Sequence, residues 1–242
     1  MRLDKYMADA GIGSRSQVKQ YLKKGLVTVN GIPQKKPEQK ITEHDVVCFR
    51  GKQIAYEKYV YYMLHKPAGC VSATKDERQK TVLSYLTDAD RNDLFPVGRL
   101  DADAEGLLLI TNDGPLCHTL LSPVKHVEKT YFVRVRGCVS LELAKIFENG
   151  IDIGDEKPTL PAGLQLLKAG EEDSELLITV TEGRFHQVKR MCAAVRHPVL
   201  YLKRLSMGPL HLDETLKAGE YRALTPEEVA SLKLLDGRGK AI

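Results

Sequence analysis

The chain has 242 residues, 43% hydrophobic and 28% charged, which is enough apolar material for a core and too much for disorder. No apolar run reaches the roughly 18 residues of a membrane span, and Met1-Arg2-Leu3-Asp4-Lys5 lacks the apolar core of a signal peptide, so a cytoplasmic protein without a membrane partner is expected. Charge is unevenly spread: residues 1–58 hold 12 Lys/Arg against 6 Asp/Glu, while the remainder holds 24 against 26. A positive surplus confined to the first quarter is an electrostatic footprint for a polyanion, and RNA is the expected one. The length suits a small module joined to a larger one, with the boundary expected between residues 58 and 59.

In the small module, Ser14 reads as an N-cap with Gln17 at the reciprocal capping-box position. Val18, Tyr21 and Leu22 then repeat at helical spacing, leaving Arg15, Lys19, Lys23 and Lys24 for the other faces. Gly25 ends the helix, and Leu26–Val29 followed by Asn30-Gly31 reads as a strand entering a tight turn. Ile41 to Phe49 is further strand material, with Asp45 in a turn. Gly11-Ile12-Gly13 does not make a dinucleotide loop, because Ser16 stands at the third glycine position and no strand precedes it. The text of residues 2–31 resembles the αL-type, S4-like RNA-binding domain shared by a small-subunit ribosomal protein and tyrosyl-tRNA synthetases. That resemblance assigns the basic helix residues to RNA.

Lys52 to Lys58 reads as a polar linker. Tyr59–Leu64 is a strand candidate that ends in a His65-Lys66-Pro67-Ala68-Gly69 turn. Phe95–Asp101 then runs through Ala102–Gly106 into the apolar run Leu107–Ile110, placing the single carboxylate Asp101 beside Arg99 on a short irregular segment backed by a strand. Asp101, Asp103, Glu105 and Gly106 match positions one, three, five and six of a calcium loop. Position twelve, however, is Asn112 where a bidentate Glu is required, so calcium is rejected. The plain alternative is a solvated acidic turn.

Period-two alternation over residues 129–136 starts an inward row at Tyr131, continued by Val133 and Val135; a core tyrosine is the plain reading. Leu176, Ile178 and Val180 mark another strand, broken at Glu182-Gly183. In the helix that follows, Val188, Met191, Cys192 and Val195 form an apolar stripe, and His186, Lys189 and Arg190 cluster on another face. Five widely spaced cysteines, at 48, 70, 117, 138 and 192, are expected to be buried thiols. No short His or Cys ligand pattern occurs, so neither a metal nor a nucleotide cofactor is expected.

Four of these segments, HKPAGCVSAT, GRLDADAEGLLLIT, EKTYFVRV and EGRFHQVKRMCAAV, occur in an order that resembles the RNA pseudouridine synthases acting on ribosomal RNA, the RsuA/RluB branch. The match can be read continuously over residues 60–228, and the ending LKRLSMGPLHLDETLKAGEYRALTPEEV resembles most the members that modify 16S RNA. The resemblance implies isomerisation of a uridine with Asp101 as the catalytic carboxylate, Lys189 as its basic partner and Tyr131 stacked on the base. Arg99 is implied in phosphate steering or nucleotide extrusion, with His186 and Arg190 as further RNA contacts. Ala104 departs from the family pattern, where a hydroxyl residue is usual. A 23S target, or a non-catalytic RNA-binding assembly factor, are the alternatives. The expected architecture is α+β: an S4-like domain over residues 1–58, and a catalytic domain over 59–242 with a mainly antiparallel mixed sheet flanked by helices. A monomer acting on ribosomal RNA or a small-subunit assembly particle is expected.

Overall fold

A computed structural model describes residues 1–235 except Glu43, residues 55–57 and Asp90. The chain divides into two compact units, Met1–Val60 with Thr87–Leu94, and Tyr61–Leu86 with Phe95 onward. No described helix is long and apolar enough to cross a membrane.

The small unit opens with helices α1 (Leu3–Asp9) and α2 (Arg15–Lys23). Ser14 caps α2 through a complete capping box with Gln17, which satisfies orphan donors at the helix start from both sides. Strands β1 (Val27–Val29), β2 (Ile32–Pro33), β3 (Val47–Phe49) and β4 (Lys52–Gln53) form an antiparallel sheet in the order β2-β1-β3-β4. Leu3, Met7, Val18, Leu22, Val27, Val29, Ile41, Val47 and Ile54 make its core. Arg15, Lys19, Lys23 and Lys24 remain exposed on α2 and its end.

Two expectations need correcting here. Among the described residues of the segment from Ile41, strand structure covers only Val47–Phe49: Asp45 accepts hydrogen bonds from the Thr42 amide and hydroxyl and from the Asn30 side-chain amide, which hold Thr42 and Asp45 in a loop. Lys52 and Gln53, read as linker, pair with β3 across the left-handed turn Arg50-Gly51, whose φ values are 50° and 76°. Of the remaining linker residues, 55–57 lie outside the described residues.

The large unit contains β5 (Tyr61–Lys66), β6 (Phe95–Pro96), β7 (Glu105–Thr111), α3 (Gly114–Leu121), β8 (Lys129–Arg136), α4 (Leu143–Glu148), β9 (Gly163–Ala169), β10 (Asp173–Val180), α5 (Gln187–Ala194), β11 (Val199–Met207), β12 (Leu210–His211), β13 (Tyr221–Ala223) and α6 (Pro226–Leu235). Their mixed sheet runs β13-β5-β7-β11-β8-β10-β9, with β6 beside β7 and β12 beside β11. Only the β7–β11 pairing is parallel among the described strands. Leu107 to Ile110 are all fully buried, which explains their unbroken apolar run: β7 is covered on both faces. The architecture is α+β, as the sequence implies.

β5 begins at Tyr61 and includes His65 and Lys66, two residues later than the sequence suggests, because β13 and β7 flank it and supply ladder partners up to the Pro67 turn. The cysteines also differ from expectation. All five are free thiols, but only Cys70 and Cys192 are buried; Cys138 is exposed.

Candidate active site

The segment carrying Asp101 is held from behind by the turn that follows β5. The Ser72 hydroxyl donates to the Leu100 carbonyl at 2.9 Å and accepts from the Leu100 amide at 3.0 Å. The Gly69 amide donates to the Ala102 carbonyl at 2.7 Å. Lys66, fully buried, spans the same loop from below, its ammonium donating to the carbonyls of Ala104 at 2.8 Å and Pro67 at 2.9 Å. Burial pulls the Lys66 pKa below its usual value, against the opposing pull of Cys70, Asp103, Asp101 and Glu105. These bonds give HKPAGCVS a physical purpose: its turn clamps the Asp101 loop. Ala104 is fully buried and contributes through its backbone, donating from its amide to the Asp101 carbonyl, so the loop closes without a side-chain hydroxyl there.

The second wall comes from the start of α5. Lys189 Nζ lies 3.1 Å from Asp101 Oδ2 and 2.5 Å from Asp103 Oδ1, and His186 Nε2 lies 3.4 Å from Asp101 Oδ1. Burial works against the Lys189 charge, but the hydrogen bonds it donates to Asp103 and Asp101 outweigh it and raise its pKa; Lys189 in turn holds Asp103 below the carboxylate range. His186 precedes the helix in the left-handed conformation, φ 49°, which turns its ring from the helix face toward the loop. The Phe185 ring stacks on it at 3.8 Å and is itself exposed.

Between these walls lies a cleft of about 690 Å³, to which Arg99, Asp101, Tyr131, His186 and Lys189 all contribute. Tyr131 is buried on β8, facing Arg204 of β11 in the strand register. Arg99 is exposed at the rim. Arg190 is turned elsewhere: its guanidinium binds Asp155 at 2.5 Å and the Ile153 carbonyl at 2.6 Å, and with Arg184 it ties the 151–158 loop to α5. Arg15, Lys19, Lys23 and Lys24 belong to the small unit.

Sequence reasoning missed two residues of the floor. Lys129 begins the inward row of β8, two positions before Tyr131, and Arg204 alternates inward on β11; both line the cleft and both are buried. Their parity on the strands was the available signal, but lysine and arginine are ordinarily read as exposed. Burial, and then the neighbouring Arg204, push the Lys129 pKa down to about 8 from its ordinary 10.5. Between those two values the unfolded chain binds a proton that the folded protein does not, so stability rises with pH in that window and the penalty is fully present below it. The melting temperature of the wild-type protein should therefore gain on that of Lys129→Met between pH 7.5 and 10; a constant offset would refute the depressed value.

The model of the RNA pseudouridylate synthase family matches residues 60–194, and that of the S4 domain matches residues 1–47. The chain is 45% identical to an uncharacterised RNA pseudouridine synthase of Bacillus subtilis, covering 95% of this chain and 97% of the relative. It is 42% identical to ribosomal small subunit pseudouridine synthase A of Vibrio cholerae, covering 96% and 99%. Ribosomal large subunit pseudouridine synthase B of Bacillus subtilis is 37% identical, covering 99% and 98%. A solved pseudouridylate synthase structure overlays with a TM-score of 0.67 at 36% identity, over 96% of this chain and 99% of that one. By the matched models and these full-length likenesses, the chain belongs to the rRNA-modifying RNA pseudouridine synthases of the RsuA/RluB family, which carry an N-terminal S4 domain.

Proposed function

We propose that this enzyme isomerises one uridine of 16S ribosomal RNA, with Asp101, Lys189 and Tyr131 as its working residues. The observation that carries the site assignment is the 3.1 Å contact between Lys189, on a helix, and Asp101, on a clamped loop 88 positions earlier, at the edge of the cleft lined by Tyr131. Conversion of uridine to pseudouridine breaks the bond from N1 to C1′, turns the uracil and rejoins it through C5. It exchanges no electrons with an outside partner. It requires a carboxylate at the sugar, which either adds to C1′ or removes a ribose proton, and Asp101 stands there with the Lys189 ammonium beside it at 3.1 Å. Tyr131 offers a planar surface to a base pulled out of its stack, worth roughly 1–3 kcal/mol. His186 and Arg99, beside and before the carboxylate, are suited to the flanking phosphates.

The 16S target is supported by the C-terminal text and by the 42% identity to a small-subunit enzyme, against 37% for a large-subunit one. Mapping pseudouridines in both ribosomal RNAs from cells with and without the gene tests it. One position should vanish from 16S RNA; a position lost from 23S RNA instead would transfer the assignment to the large subunit.

The S4 unit supplies affinity through α2. Replacing Arg15, Lys19, Lys23 and Lys24 together by Gln should weaken RNA binding and reduce the slope of log affinity against log salt by about 3, the release expected for four phosphate contacts. An unchanged slope would remove this helix from the interface.

A further inference from the structure

The cleft has two cationic groups with different surroundings. Lys189 stands between two carboxylates at the loop wall. Lys129 and Arg204, 7% and 2% exposed, pair with no carboxylate among the described residues. Lys129 donates to the Val127 carbonyl at 2.8 Å, and Arg204 donates from Nε to the Leu107 carbonyl at 2.7 Å. Arg204 Nη2 is buried without a hydrogen-bond partner. Burying two unpaired like charges side by side is unfavourable unless something negative arrives between them. Lys66, the other buried lysine in this region, shows the contrast: backbone carbonyls surround its ammonium.

Strand register places these cations relative to the proposed base surface. Lys129 and Tyr131 share one face of β8, and Arg204 stands directly opposite Tyr131 on β11, at the separation of cross-strand neighbours. A uracil stacked on Tyr131 therefore has its polar edges within reach of both.

We infer that Lys129 and Arg204 form an anion-stabilising floor for the uracil itself, taking up the negative charge that its oxygens acquire when the glycosidic bond breaks. The inference rests on the function proposed above. When N1 separates from C1′, the bonding pair stays on N1 and spreads to O2 and O4, while the sugar is taken up by Asp101 or loses a ribose proton to it. In the second half C5 supplies the pair for the new C5–C1′ bond as the Asp101–C1′ bond breaks or Asp101 returns the ribose proton, the C5 proton passes to solvent, and N1 receives a proton, so the product is an isomer of the substrate. Either role of Asp101 leaves the same uracil anion between the two bond changes. Preorganised donors in a buried site act most strongly on charge that develops there. A phosphate is the less fitting occupant, since these groups lie on the buried floor and the exposed Arg99 is at the rim.

The test uses the full-length protein with ribosomal RNA from cells lacking the gene, and with the same RNA carrying 5-fluorouridine. Fluorine at C5 stabilises the uracil anion, so an enzyme that has lost its anion-stabilising groups should suffer less with it. Arg204→Met should slow single-turnover consumption of the N1-linked nucleoside about 100-fold and Lys129→Met about tenfold, with RNA affinity changed less than threefold. Both deficits should shrink at least fivefold on fluorinated RNA, and Arg204→Lys should recover part of the rate. Weakened binding at an unchanged single-turnover rate would make this a phosphate subsite and overturn the inference. Equal deficits on both RNAs, in variants that melt like the wild type, would reduce the pair to structural roles and also overturn it. Failure of the wild-type enzyme on the unfluorinated RNA would instead overturn the proposed function beneath it.

Discussion

Asp101→Asn should abolish release of tritium from C5-labelled uridine in ribosomal RNA, lowering the rate by on the order of 10⁴-fold, while RNA affinity stays within a few-fold of wild type. The amide matches the carboxylate in shape and keeps the backbone bonds that clamp the loop, since these run through Leu100, Ala102 and Ala104 rather than through the Asp101 side chain. What is lost is the negative charge and the ability to add to the sugar or accept its proton. Asp103 provides the control. It makes the shorter contact to Lys189, 2.5 Å against 3.1 Å, yet its side chain is 75% exposed and does not line the cleft. Exposed pairs of that kind contribute little, so Asp103→Asn should cost less than about tenfold. If Asp101→Asn protein still released label, or if Asp103→Asn proved the more damaging change, the carboxylate assigned to the sugar would be the wrong one.

The elements that could be read from the text were those whose residue pattern is a direct image of their surroundings. β7 is apolar without interruption because both faces are covered, β10 alternates because one is, and α2 carries its cap in four consecutive letters. The site was legible in part for a different reason: Asp101, Tyr131 and Lys189 sit in motifs that resemble a family, and no periodicity would have joined them. Residues whose positions depend on distant strands were not legible. Lys129 and Arg204 are buried because β8 and β11 pair beneath the cleft; strand parity points them inward, but a charged side chain at such a position is ordinarily read as exposed. Arg190 looked equivalent to Lys189, one position away on the same helix, but a loop from residues 151–158 meets it first. Nor does anything in the polar text of Thr87–Leu94 signal that it groups with the small unit.

The second large effect is expected at a residue that performs no chemistry. Gly106 follows the Asp101 loop and lies in the only described parallel pairing of the sheet, opposite Arg204. Its φ of +108° lies where side chains are strained, and a Cβ there would press on the Arg204 carbonyl oxygen and stand 2.5 Å from the Arg204 backbone nitrogen. These are backbone atoms held by β8 on the far side, so they cannot turn away as a side chain would. Gly106→Ala therefore has to part β7 from β11. Backbone strain and overpacking together should cost about 3 kcal/mol, which for a unit of this size lowers the melting temperature by roughly 6–12 °C. The same wedge separates the loop bearing Asp101 from the floor bearing Tyr131 and Arg204. Activity at temperatures well below melting should then fall about 100-fold, as misplacement of reacting groups by an ångström does. Gly163→Ala is the matched control: that glycine has an ordinary φ and its nearest neighbour is the Thr179 side chain at 3.7 Å, so stability and rate should both be retained. Calorimetry and single-turnover assays on the two variants separate the outcomes. Equal melting temperatures would mean that β7 and β11 do not approach as closely as described, whereas a lowered melting temperature with full activity would show that the loop holds its place without the parallel joint.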